Sequence, residues 1–203
     1  MAFTSNNKYL LPVFLSPVSI VVDIGMEGGS FTKECLDRGV GMVYGFDAQQ
    51  KMVELATENL KEYADKVKLY HQAVVRSDED NYQYLYNGYP VDAVRFDFII
   101  SHLERVDILR LNCRGNEYPI LYTTNYLDRI NSIIVDFTEL KGLQNASKTA
   151  SALRVGTLNH FKIKDLQTFL ETKGFKTKVK RNNPLSKRGI LWAYRPQGFP
   201  FFI

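Results

Sequence analysis

Ile20-Val21-Val22-Asp23-Ile24-Gly25-Met26-Glu27-Gly28-Gly29-Ser30-Phe31-Thr32 decides how this chain folds. An apolar run ends in an acidic residue, and a glycine-rich turn follows. Lys33-Glu34-Cys35-Leu36-Asp37 then reads as the first turns of a helix. The pattern is a buried strand feeding a helix through a loop almost free of side chains. Such a loop lets a nucleotide-like ligand lie against bare backbone, near the N–H groups that open the helix. Asp47 closes the next apolar run, Met42-Val43-Tyr44-Gly45-Phe46. The interval from Asp23 to Asp47 suits a strand–helix–strand unit, with Asp47 placed to accept hydrogen bonds from ribose hydroxyls.

Glycine spacing narrows the ligand. A dinucleotide fingerprint needs glycines at positions 25, 27 and 30, where this chain has Gly25, Glu27 and Ser30. Gly25 and Gly29 are instead four apart, directly after Asp-Ile. That pattern resembles the S-adenosylmethionine (SAM) loop of class I methyltransferases. A tight strand-to-helix turn in some other doubly wound protein is the plainer reading of the same loop.

Composition sets outer bounds. A chain of 203 residues fits one domain, spanning 1–203, with ample length for a full core. Its make-up, 45% hydrophobic and 24% charged, is that of a soluble globular protein. No apolar stretch approaches the roughly 20 residues of a membrane span. Leu10 to Leu15 is apolar but short and carries Pro12. The N-terminus has no basic region or cleavage site of a signal peptide, so a cytoplasmic protein is expected. Cys35 and Cys113 have no CxxC partner, which argues against a disulfide scaffold or a zinc site. The net charge of +4 is mild, and much of it lies in Lys173 to Arg188. A solvated surface explains that cluster; an anionic acceptor or RNA contact is the sharper alternative.

Apolar strand-like runs alternate with helical patterns, the mark of an α/β protein with a parallel sheet. Strands are expected at Val18–Ile24, Met42–Asp47, Val67–Gln72, Val106–Leu111 and Ile133–Phe137. Helices are expected from after the glycine loop to Arg38, from Gln49 to Tyr63 and from Ile163 to Lys173. In Arg76 to Ser101, Tyr82, Tyr84 and Tyr86, then Phe96, Phe98 and Ile100, alternate as in short antiparallel strands or a hairpin inserted before the fourth strand. Phe175–Val179 and Ile190–Tyr194, with no helix-length pattern between them, close the chain as an antiparallel hairpin. The tail Arg195–Ile203 is expected to pack down onto the domain. The fold class is therefore α/β: a Rossmann-like, doubly wound, seven-stranded sheet, mostly parallel, with a C-terminal antiparallel hairpin.

A second segment sharpens the resemblance. Asp107-Ile108-Leu109-Arg110-Leu111-Asn112-Cys113-Arg114-Gly115-Asn116-Glu117, with Leu121 after it, resembles the strand-four signature of FkbM-type methyltransferases. That family typically reads Asp-(Leu/Phe)-(Leu/Ile)-Lys-Ile-Asp-(Val/Cys)-Glu-Gly-x-Glu. Asp23-Ile24-Gly25 to Gly29 to Thr32, Gly45-Phe46-Asp47-Ala48 and Gln72-Ala73-Val74-Val75-Arg76-Ser77-Asp78 resemble its other segments in order and spacing. The likeness spans about Val21 to Leu121. It departs where the family's strand-four Asp is Asn112, its following Glu is Arg114, and the Asn of its first loop is Glu27. The resemblance thus predicts fold and cofactor better than it predicts turnover.

The resemblance implies SAM as cofactor, S-adenosylhomocysteine (SAH) as product, and O-methylation of a hydroxyl on a small molecule, sugar or glycan. Gly25 and Gly29 would let backbone approach the methionine part of SAM. Asp23 and Glu27 could order the loop or reach the cofactor's ammonium. Asp47 is the ribose acceptor, the cap of the following helix, or both. Ala48, next to Asp47, would join the cofactor site, Gln72 and Ala73 would lie near the adenine, and Ser77 or Asp78 would hydrogen-bond its amino group or cap a turn. On the catalytic side, Asn112 sits where ligand crevices open and can orient a hydroxyl but not act as a base. Glu117 could be a base, an acceptor anchor or a first-turn acid answering the helix dipole. His160, in the loop after strand five, completes the candidates as a base, because imidazole as a side-chain type has an unperturbed pKa near neutrality. Asp136 with Asn112 is too thin an oxygen set for a divalent metal, so none is expected. Asn182-Asn183-Pro184-Leu185 has the look of an amino-methyltransferase box but follows strand six, and reads as a turn. Two rival functions are a catalytically silent methyltransferase-like binding module, motivated by Asn112 and Arg114, and an RNA methyltransferase, motivated by the Lys173–Arg188 charge.

Overall fold

The computed structural model describes residues 15–79, 83–86, 88–141 and 160–196. Strand β1 (Ile20–Ile24) leads through helix α1 (Ser30–Asp37) to β2 (Met42–Asp47), α2 (Gln50–Asn59) and β3 (Val67–His71). Next come β4 (Ala73–Val75), β5 (Gln83–Tyr86), β6 (Tyr89–Arg95), α3 (Phe96–Ser101), β7 (Val106–Leu111), α4 (Glu117–Thr123) and β8 (Ile130–Thr138). The short β9 (Leu140–Lys141) and β10 (His160–Phe161) precede α5 (Ile163–Thr172), β11 (Lys176–Arg181) and β12 (Arg188–Tyr194).

Seven strands form one sheet in the order β3-β2-β1-β7-β8-β12-β11. The first five named run parallel; β12 is antiparallel to both β8 and β11. This is the doubly wound sheet with a closing hairpin that the alternation of patterns predicts. Helices cover both faces, so the central strands are mostly apolar, with Asp23, Arg110 and Ser132 as buried exceptions, and neighbouring residues serve opposite layers. Val21, Val43, Ile108 and Ile134 pack with Phe31, Cys35 and Leu36 of α1 and with Ala56 of α2. Val22, Leu109, Ile133 and Val135 pack with Ile120 and Leu121 of α4 and with Leu166 and Leu170 of α5.

Several boundaries move. β1 begins at Ile20 rather than Val18, and β8 runs from Ile130, earlier than Ile133. α2 ends at Asn59, and a single 3-10 turn, Lys61–Tyr63, carries the chain on. A real misreading concerns Phe96, Phe98 and Ile100, whose alternation suggests a strand. They lie on α3, which buries Phe96, Ile99 and Ile100 at helical steps and leaves Phe98 60% exposed. The inserted hairpin is present as β5–β6, and β6 also pairs in parallel with β4, making a separate three-stranded sheet. Much of Lys141–Phe161, and the tail from 197 onward, lie outside the described residues.

Edge strand β11 alternates exposed Lys176, Lys178 and Lys180 with half-buried Thr177, Val179 and Arg181. Lysines on an edge discourage strand addition, which accounts for part of the basic segment. Asn182–Leu185 is the turn expected there. No helix among the described residues is long and apolar enough to cross a membrane.

Candidate functional site

A cleft enclosing about 860 Å³ of empty space, open mouth included, lies where the carboxyl ends of β1, β2 and β7 meet. Its floor is backbone. Gly25 and Met26 N–H both donate to Phe46 O (2.8 and 3.2 Å), and Asn112 N–H donates to Ile24 O at 2.8 Å. These bonds tie the loop after β1 to the end of β2, and the loop after β7 to the end of β1. Gly25 has φ +75°, and a Cβ there would stand 2.2 Å from Asn112 O, so only glycine permits the approach. Glu27 also sits in the left-handed region, at φ 54°.

Asp47 stands at the centre. Its Oδ2 accepts Glu27 N–H at 3.0 Å and its Oδ1 accepts Gln49 N–H at 2.8 Å. The carboxylate is thus fixed between the glycine loop and the start of α2. An ionised carboxyl has about four acceptor positions, so roughly one per oxygen is left for a vicinal diol. Burial raises the Asp47 pKa, and the two backbone donors pull the other way. His71, paired in register with Asp47, places Nε2 3.2 Å from Ala48 O and steadies the same loop.

Beneath the floor lies a buried charge network. Arg110 Nη1 donates to Asp23 Oδ1 at 2.9 Å, and Nη2 approaches Asp136 Oδ2 at 3.3 Å. Thr32 Oγ1 donates to the other Asp23 oxygen at 2.8 Å, and the guanidinium lies over Phe31. A single arginine on the central strand thereby ties β1, α1 and β8 together.

The loop 112–116 forms one side of the cleft, and the β5 hairpin faces it through Tyr84, Leu85 and Tyr86. Asn116 Nδ2 lies 3.3 Å from Tyr84 OH, bridging the two. Arg114 adopts φ 52°. Glu117 folds back so that Oε2 accepts Gly115 N–H at 2.7 Å, while Oε1 makes no hydrogen bond within normal limits among the described residues. Burial pushes the Glu117 carboxyl from 4.5 up to about 7, against the pull of its backbone donors. Burial likewise raises the Cys113 thiol and the Tyr84 phenol.

Gly25, Glu27, Asp47, Ala48, Gln72, Ala73 and Asn112 come together in the cleft lining. Four other candidates do not. Asp23 is spent on Arg110 and Thr32 and orders the loop from below. Gly29 starts α1 at φ +80°, where a Cβ would stand 2.9 Å from Leu60 Cδ1; it serves helix packing. Ser77 donates from N to Thr123 Oγ1 (2.9 Å) and from Oγ to Asp97 Oδ1 (2.7 Å), while Asp78 pairs with Arg76. Glu117 is wholly buried and clamps the loop rather than facing the cleft. The side chain of His160 lies outside the described residues, and its backbone pairs β10 with β9. Sequence reasoning missed Tyr84, Tyr86 and Asn116 as cleft residues, and Arg110 as the loop's counter-ion. The tyrosine alternation was visible; the counter-ion of Asp23 lies 87 residues away.

Known proteins share this architecture. A family model described as FtsJ-like methyltransferase matches residues 5–188. No curated protein sequence matches. Among solved structures, the methyltransferase FkbM from Methylobacillus flagellatus KT superposes with a TM-score of 0.60 at 11% identity, over 90% of this chain but 45% of that one. An rRNA methylase from Streptococcus thermophilus gives 0.54 at 14% identity, over 90% of this chain and 89% of that one. A putative methyltransferase from Streptococcus mutans, in complex with SAH, gives 0.54 at 12% identity, over 89% and 90%. At such identities the structures share the fold. The chain spans under half the length of the FkbM protein.

Proposed function

The chain belongs to the FtsJ-like methyltransferase family, and on that premise we propose that it is a SAM-dependent O-methyltransferase of the FkbM type acting on a hydroxyl of a sugar, glycan or small molecule. The observation carrying this reading is a fixed Asp47 carboxylate with spare acceptor capacity, set beside a backbone floor that only Gly25 allows.

The cleft residues fit SAM. Asp47 would receive the ribose diol. Ala48, Gln72 and Ala73 would border the adenine, and Glu27, on the glycine loop, would meet the ammonium. When bound, SAM supplies a methyl group on a sulfonium, activated for in-line displacement. The protein's contribution is then positioning, which can supply much of the acceleration. Asn112 lines the cleft at the end of β7, where its amide can accept from or donate to an acceptor hydroxyl and hold it in line. An amide takes up no proton, so the hydroxyl proton passes to solvent at the open mouth.

Titration calorimetry with SAM and SAH tests the cofactor reading. Micromolar binding by wild type, lost in Asp47→Ala with the circular dichroism spectrum retained, supports it. No binding of either compound by wild type would overturn it. Transfer of labelled methyl to a hydroxyl panel tests the acceptor class.

A second reading, a binding module without turnover, is favoured by Asn112, which offers no base, and by Glu117, which is held off the cleft. Even slow conversion of SAM to SAH with any acceptor would sink it.

A further inference from the structure

Arg114 carries the only cationic side chain in the described lining of the cleft; Glu27 and Asp47 carry the negative ones. Its neighbours' charges are already engaged. Arg110 is held by Asp23 and Asp136, and Glu117 is folded onto Gly115. The Arg114 side chain makes no hydrogen bond or ion pair with the described residues. Its backbone adds a second observation. At φ 52°, Arg114 occupies a region that glycine enters freely and other residues enter at a cost. Gly115 follows at φ +115°, so glycine is at home in this loop, yet position 114 keeps a guanidinium.

The loop presenting that guanidinium is pinned at three points. Asn112 N–H bonds Ile24 O, Gly115 N–H bonds Glu117, and Asn116 bonds Tyr84. Arg114 therefore stands two residues from Asn112 on a fixed frame, with both in one cleft wall. An anion entering the cleft is repelled from the Glu27 and Asp47 side and drawn to this one. A guanidinium fork matches the paired oxygens of a phosphate or carboxylate.

We propose that Arg114 is a specificity-determining residue, binding an anionic group, phosphate or carboxylate, on the acceptor whose hydroxyl Asn112 orients. This rests on the methyl-transfer reading of the cleft.

The test uses full-length protein saturated with SAH and ¹⁵N-labelled, titrated with inorganic phosphate and with acetate at constant ionic strength. Saturable shifts of the amides of residues 112–116 are expected, with affinity at least tenfold weaker in Arg114→Gln. In a parallel titration, glucose 6-phosphate or glucuronate is expected to bind at least tenfold more tightly than glucose, and the difference to collapse in the variant. The stronger of the two charged sugars identifies the group. Equal binding of charged and neutral sugars, or shifts unaltered in Arg114→Gln, would overturn the proposal alone. So would a tenfold loss of SAH affinity in the variant, because the guanidinium would then be holding the cofactor's own carboxylate. Failure of wild type to bind SAH would overturn the methyl-transfer reading and this proposal with it.

Discussion

Asp23 Oδ1 lies 2.9 Å from Arg110 Nη1, with the aspartate wholly buried and the arginine 2% exposed. An ion pair so enclosed is stabilising only while complete, since removing one partner leaves a charge without solvent or counter-ion. Arg110→Met strips Asp23 and Asp136 of their shared cation. It is expected to cost about 3–5 kcal/mol in urea unfolding. Arg110→Lys keeps the charge but cannot span both carboxylates, and should lose less. A Met variant as stable as wild type would show that the network does not hold the sheet.

Glu117 gives a pH signature. Burial raises its carboxyl from 4.5 to about 7, so the native state keeps a proton that the unfolded chain releases between those values. Its contribution to stability is complete at and below pH 4.5, declines as pH rises, and is gone above about pH 7. The change is on the order of 3 kcal/mol. Glu117→Gln stays neutral and still accepts from Gly115 N–H. Its melting temperature is expected to match wild type near pH 5 and exceed it at pH 8. Parallel melting curves from pH 5 to 8 would refute this.

Asp47 should link cofactor affinity to pH. Burial raises its pKa, and the ionised form is the one that accepts from a diol. SAH binding by wild type is therefore expected to weaken on acidification sooner than an exposed aspartate would allow. Asp47→Asn should bind about 10–100-fold more weakly at pH 7.5, in line with the loss of two charge-assisted hydrogen bonds. Its affinity should be flat across the same range. A variant profile that still bends with pH would assign the titration elsewhere.

Gly25→Ala tests the floor. A methyl group would stand 2.2 Å from Asn112 O, on a backbone at φ +75°. Separating the β1 and β7 loops is expected to cost about 1–3 kcal/mol and to lower SAH affinity more than tenfold. Unchanged SAH binding in this variant would show that the cofactor does not depend on that contact.

The sheet was legible because its signals are local: apolar runs, the glycine turn, and an acid closing β2. Asp47 could be placed for the same reason, as the last residue of its own strand. The rest depends on partners distant in sequence. Asp23 could order the loop or reach the cofactor, and Arg110, brought beside it from β7, engages it in the first of these. Ser77 turns away from the cleft because Asp97 lies at the start of α3. Phe96, Phe98 and Ile100 alternate like a strand, but burial of Phe96, Ile99 and Ile100 against the core selects a helix. Glu117 stayed open between a cleft role and a first-turn acid because nothing local reveals that α4 is buried along that face.

The small sheet β4-β6-β5 closes its ladders on itself and shares none with the seven-stranded sheet. Through Tyr84, Leu85 and Tyr86 it nevertheless supplies a wall of the cleft. Exchanging the hairpin would therefore reshape one wall of the cleft without breaking a main-chain bond of the larger sheet, so the width of the cleft and the stability of the main sheet can be altered separately.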